Sequence, residues 1–193
     1  MANVKERLKL IATEAAQRAG VSAVTFRELG KAVGIKSSSV IYHFKNKDGL
    51  LLEITKDYTD HTLLLLKDID SDYDQANDKL VAFIKVLEKS LAEGKICLCA
   101  MLASDIEALD DKTNYAVQQY FDALEEWITG VIKGSGKFDA QQASNYAKII
   151  LSAIEGAMLL DKVIGQPKRL VALRYWVSSL LQAKEIPLMA ETF

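Results

Sequence analysis

The sequence predicts an all-α chain of about nine helices in two parts, a small N-terminal helical head and a larger helical body. Three observations carry this. The 193 residues contain only two prolines, Pro167 and Pro187, which leaves long spans free of the residue that interrupts helices. Apolar residues recur at helical spacing along most of the chain, and no stretch alternates as a half-buried strand does. Half of the residues are apolar and about a quarter charged, the balance of a folded globular protein.

The elements follow in order. Val4, Leu8, Ile11, Ala15 and Ala19 repeat at helical period over residues 3–19, and Gly20 is placed to end that helix. Thr25 then opens a short helix over about 26–32, with Glu28 three residues on to complete a capping box. It presents Phe26, Leu29 and Val33 to a core. Gly34 supplies a residue at ease in the left-handed region, and residues 36–42 add two further turns of helix. A longer helix followed by two short ones around a glycine turn describes a helix-turn-helix unit.

A long helix is expected from Asn46–Asp48 to about Asp70, broken by DSDYD at 70–74. Leu80, Phe83, Ile84, Leu87 and Leu91 mark the next, ending near Gly94. ICLCAMLASDIEAL, 96–109, is apolar enough to be largely buried. Helices over 111–133, 140–164 and 168–185 complete the chain, with GSGKFD at 134–139 as a loop and Gly165 and Pro167 between the last two.

Charge divides the same way. Residues 1–50 hold nine Lys/Arg against four Asp/Glu, and the remainder fifteen against twenty-two, so +5 is joined to −7. A basic head on an acidic body suits a polyanion-binding module attached to a larger domain. No apolar run approaches the roughly 20 residues of a membrane span, and MANVKERLK lacks a signal-peptide core, so a cytoplasmic protein without membrane contact is expected.

The stretch TFRELGKAVGIKSSSVIYHFKNKDGLL, residues 25–51, carries a specific pattern. A threonine opens the second helix, a glycine makes the turn, and a short polar helix follows. A cluster of tyrosine, histidine and phenylalanine closes it, with a lysine ahead of a long helix. This resembles the TetR family of bacterial transcriptional repressors over about residues 8–54. The resemblance implies a DNA-binding domain over 1–47 and an effector-binding and dimerisation domain over 48–193. It implies a homodimer on double-stranded operator DNA, joined through its last two helices and released by a small-molecule effector.

Residue by residue, it makes Thr25, Lys36, Ser37, Ser38, Ser39, Tyr42, His43 and Lys47 the DNA-contacting set. Short serines let a recognition helix approach base edges, and Lys36 offers charge to guanine or phosphate. Lys47 stands at a helix N-terminus, which already attracts phosphate. His43 reads either as a phosphate ligand or as a packing residue, and Phe44 as core. Ser38 and Ile41 depart from the family pattern, which more often has glycine and tyrosine there.

For the body, Cys97, Cys99, Met101, Tyr115, Tyr120, Phe121, Trp127, Tyr146 and Glu155 are the candidates for a largely apolar effector pocket. Ile150, Ile154, Met158, Leu173, Val177, Leu180 and Leu181 form apolar stripes suited to a subunit interface or to a monomer core, and the resemblance selects the interface. Cys97 and Cys99, two apart, are wrongly faced for a mutual disulfide. A first-turn position would favour a thiolate and hence a thiol-sensing regulator; the alternative is two small buried hydrophobes. A ligand-independent DNA-associated adaptor is the other rival. No nucleotide loop, nucleophile–base set or Cys/His ligand spacing is present, so neither an enzyme nor a metal or cofactor is expected.

Overall fold

The computed structural model describes residues 4–183, and these form nine α-helices and two short 3₁₀ turns, with no strand among them. The helices are α1 (Val4–Ala19), α2 (Phe26–Val33), α3 (Ser37–Phe44), α4 (Lys47–Asp72), α5 (Ala76–Ala92), α6 (Leu98–Ala103), α7 (Asp111–Gly134), α8 (Ala140–Ile164) and α9 (Lys168–Gln182). The last two residues of the expected 168–185 helix lie outside the described residues. No helix among the described residues is long and apolar enough to cross a membrane.

In the head, Thr25 caps α2 by accepting from the Glu28 amide at 3.3 Å, while the Glu28 carboxylate lies 3.9 Å from Arg27 Nε. Gly34 ends α2 at φ 78°, the left-handed conformation expected of it. The turn also rests on Gly30, whose importance no sequence pattern announced. A Cβ there would lie 2.7 Å from the Ile35 carbonyl oxygen, and Gly30 itself accepts the Ile35 amide at 2.9 Å. The backbone of the turn therefore sits directly on α2.

Helix α3 is longer than expected, running to Phe44, so the three rings belong to the helix. It stops at Lys45, which has φ 67° and ψ −57° at the centre of a γ-turn closed by the Asn46 amide on Phe44 O at 2.8 Å. Asn46 then caps α4, accepting from Gly49 N at 2.8 Å.

Helix α4 runs unbroken for 26 residues, about 39 Å at 1.5 Å per residue, so no gap separates head from body at 47/48. Its first turns are tied to α1 by Lys5–Glu53 at 2.7 Å and Lys9–Asp57 at 2.6 Å. Farther along, α4 packs on α7, which packs on α8, while α9 closes against α5 and α8. One continuous core runs from Leu8 in α1 to Leu181 in α9.

The α8–α9 junction is fixed by Asp161, fully buried, whose carboxylate accepts from Arg169 N at 2.7 Å, Leu170 N at 3.0 Å and Arg169 Nη1 at 3.0 Å. It caps α9 from the preceding helix. The residues expected at a subunit interface need correction here. Ile150, Ile154, Met158, Val177 and Leu181 are buried within the chain, and Leu173 and Leu180 pack against its core. Apolar periodicity marks a buried face without saying which partner buries it. The exposed apolar residues of these helices are others, among them Leu159, Leu160, Val163, Tyr175 and Trp176.

Gly30→Ala tests the turn, because two effects oppose. Helix propensity alone favours alanine by about 1 kcal/mol in a helix interior, whereas overpacking against a backbone carbonyl costs about 1–3 kcal/mol. A lower Tm for the variant is the expected result.

Candidate nucleic-acid interface and the interior of the body

Val40 and Phe44 anchor α3 to the core, which turns Ser38, Ser39, Ile41 and Tyr42 outward. Tyr42 is 85 % exposed and Ile41 47 %. His43 is half-buried between its neighbours, 5.7 Å from the Tyr42 ring and 6.2 Å from that of Phe44. Phe44 lies beneath Lys5, whose Nζ is 5.4 Å from the ring centre, a cation–π contact that pins α3 to α1. Lys36 is exposed at the N-cap position of α3 and makes no side-chain cap, so a cation stands at the start of that helix. Thr25 is exposed at the start of α2, and Ser37 is half-buried.

Lys47 is placed differently from its neighbours. It is half-buried, and its Nζ donates to the Val21 carbonyl at 2.8 Å, joining the start of α4 to the turn after α1. Three other lysines, Lys31, Lys36 and Lys45, are exposed and join no ion pair among the described residues. Lys31 and Lys45 were not singled out by the motif; exposure beside the two short helices is what distinguishes them.

The body distributes the nine expected pocket residues over several places. Cys97, Cys99, Tyr120 and Glu155 come together inside it, and Tyr58 of α4 joins them. The Cys97 thiol donates to Tyr120 Oη at 3.5 Å, and the Tyr58 and Tyr120 rings are 5.4 Å apart. Glu155 is partly exposed as a residue, but its Oε2 is sealed from solvent and has no hydrogen-bond partner. Tyr58 carried no local signal, because it meets the others only through packing.

The other five lie elsewhere. Met101 packs toward Gly20 of the head. Tyr115, 63 % exposed, forms the shared wall of two surface clefts of about 420 and 540 Å³, the smaller also lined by Phe121. Trp127 donates to Asp70 Oδ2 at 3.0 Å and packs on Phe83, and Tyr146 packs on Phe138.

Burial governs the chemistry of the interior group. It raises the Glu155 carboxyl from 4.5 to about 7, an effect partly offset by contact with the Cys97 thiol. Burial, and then the Glu155 charge, push the Cys97 and Cys99 thiols well above their ordinary range. The thiolate expected from a first-turn position is thus disfavoured: Cys97 is the N-cap residue of α6 and Cys99 lies in its first turn, but desolvation outweighs the short helix. Burial likewise raises Tyr58 and Tyr120.

Head and body meet at the end of α1. The Gln17 carbonyl accepts from Ile96 N at 3.4 Å and from Lys162 Nζ at 3.0 Å. Arg18 Nη1 donates to Glu93 O at 2.6 Å, and Lys95 pairs with Glu14 at 2.8 Å.

A three-helix head with an outward recognition helix, continued by one long helix into an all-α body, defines a helix-turn-helix regulator. The chain belongs to the TetR family: the model of the bacterial regulatory proteins of that family matches residues 11–54. The C-terminal domain model of LmrA/YxaF-like transcriptional regulators matches residues 76–173, just over half of the chain. A TetR transcriptional regulator of Legionella pneumophila has a similar structure, with a TM-score of 0.88 at 29 % identity over 93 % of this chain and 97 % of that one. A TetR-family regulator of Agrobacterium tumefaciens shares the fold with a TM-score of 0.86 at 22 % identity, over 93 % and 98 % of the two chains. The HTH-type transcriptional repressor KstR2 of Mycolicibacterium smegmatis is 40 % identical over 55 residues, 28 % of this chain and 26 % of that repressor.

The Glu155 carboxyl makes stability depend on pH. Because its folded value lies above 4.5, the folded chain holds the proton more tightly, and the resulting stabilisation is complete below about 4.5 and lost as pH rises to about 7. Glu155→Gln has no such ionisation. Urea unfolding at about pH 8 is expected to show the variant more stable by about 3 kcal/mol, with the difference vanishing below about pH 4.

Proposed function

We propose that this regulator is a homodimeric repressor that binds double-stranded operator DNA through paired heads and leaves it when a small molecule occupies the body. The observation carrying the reading is the head itself. Helix α3 is held from behind by Val40 and Phe44 and turns a serine-rich face outward, with Lys36 at its start. Serines and Tyr42 supply hydrogen bonds to bases and phosphates, and the exposed lysines supply counterion release. In this reading Lys47 contributes mainly by holding α4's N-terminus in place, its ammonium being engaged by Val21 O. The buried, proton-retaining thiols speak against a thiol sensor.

The dimer would form on the outer face of α8 and α9, where Val163 is 83 %, Tyr175 63 %, Leu159 57 % and Leu160 51 % exposed. Clustered exposed apolar side chains of this size are normally covered by a partner. Effector binding would change the separation of the two heads and so their fit to two half-sites, about 34 Å apart on one face of B-DNA.

Electrophoretic shift with the DNA upstream of the protein's own gene, at low salt, is expected to give a specific complex. Failure to bind any duplex would overturn the reading. Lys36→Ala is expected to reduce the slope of log affinity against log salt by about 1. For the dimer, Val163→Glu is expected to shift sedimentation from dimer to monomer while the helical circular dichroism is kept.

A further inference from the structure

The interior group of the body has an unusual electrostatic composition. Tyr58 faces it from α4, Cys97 and Cys99 from the start of α6, Tyr120 from α7, and Glu155 from α8. All five side chains are acids, and the leading influences on each are burial and its acidic neighbours. A buried carboxylate is ordinarily paired or fully hydrogen-bonded. Here Glu155 Oε2 is sealed and unpartnered, while the phenol rings of Tyr58 and Tyr120 lie 5.4 Å apart beside the same thiol. A sealed carboxyl oxygen beside a thiol that already donates to Tyr120, with aromatic faces at hand, has the chemistry that receives a positively charged nitrogen.

We propose that the interior group around Glu155 is the recognition point for an organic cation, a protonated amine on an apolar or aromatic body. Its N–H bonds to Glu155 Oε2 and its charge is shared with the Tyr58 and Tyr120 rings. This inference rests on the reading of the body as the effector-binding domain, and it names the class of effector.

The step has a proton signature. Burial holds the Glu155 carboxyl largely neutral below about pH 7. An alkylamine arrives already protonated, so the proton that leaves is the carboxyl's and passes to the buffer, leaving an ammonium–carboxylate pair.

The test uses the full-length protein with 2-phenylethylamine and its uncharged isostere 2-phenylethanol, by titration calorimetry in buffers of different ionisation enthalpy. The amine is expected to bind with release of up to one proton, with affinity rising about tenfold from pH 5.5 to 6.5 and levelling above about 7. The alcohol is expected to bind at least tenfold more weakly. Glu155→Gln, checked for folding by circular dichroism, is expected to lose the proton release and most of the amine's advantage. Equal binding of amine and alcohol, amine binding unchanged in Glu155→Gln, or no amine binding up to about 10 mM overturns the proposal. Operator shifts run alongside separate it from the reading beneath it. Release of operator by an uncharged compound, equally in Glu155→Gln, sinks the cation site and keeps the effector-responsive repressor. Amine binding with the proton signature but without change in operator affinity keeps the site and sinks the effector role.

Discussion

Everything in this molecule depends on α4 belonging to both of its parts. A helix of 26 residues is too regular to bend at an arbitrary point, so the angle it takes in the body is the angle at which it enters the head. At the head end its position is set by the Asn46 cap, by Lys47 on Val21 O and by the Lys5 and Lys9 ion pairs with Glu53 and Asp57. Beyond that point it lies against α7 and presents Tyr58 to the interior. Exposed ion pairs of this kind contribute little stability each, about 0–1 kcal/mol. Their value is directional, because they fix rotation of the long helix about its axis.

The head's positive charge divides between two uses. Lys5, Lys9, Arg18 and Lys47 are engaged within the chain and Arg27 meets Glu28, while Arg7, Lys31, Lys36 and Lys45 are exposed without ion pairs among the described residues. A balance of +5 counted along residues 1–50 therefore overstates what a polyanion meets. It also shows why position decides more than composition. Lys47 and Lys45 are two residues apart, yet the γ-turn at Lys45 sends one outward and leaves the other across the turn after α1.

What was legible in the residues was whatever rests on local pattern. The cap at Thr25, the turn at Gly34, the ring cluster and the start of α4 are all short-range features, and the structure has each where the pattern implied. Non-local facts were not legible. Gly30 matters because the Ile35 carbonyl lies on it, and Tyr58 because α4 crosses α7, and neither has a sequence signature. Helix α8 shows the limit most clearly. Its apolar residues cover more than one side, with Ile150, Ile154 and Met158 inward and Leu159, Leu160 and Val163 outward, so periodicity alone cannot tell a core from a surface awaiting a partner. The pocket residues divide for the same reason: Cys97, Cys99, Tyr120 and Glu155 converge, whereas Tyr115 and Tyr146, equally aromatic and on the same helices, point elsewhere.

The segment Glu93–Met101 joins the interior of the body to the head in a few residues. Cys97 touches Tyr120, the adjacent Ile96 bonds to Gln17 O, and Met101 rests on Gly20. A change around Cys97 therefore reaches α1 without passing through α4. Its energetic reach can be bounded. The contacts at the end of α1 are two hydrogen bonds to Gln17 O, one from Arg18 and one ion pair, each worth about 1 kcal/mol or less. Lost together, they amount to at most about 4 kcal/mol, enough to span the 1–3 kcal/mol typical of coupling between sites. Lost singly, none would shift operator affinity by more than about fivefold. Two of these contacts share one acceptor, the Gln17 carbonyl, which is held at once by α8 and by the segment before α6, so a displacement of that carbonyl loosens both.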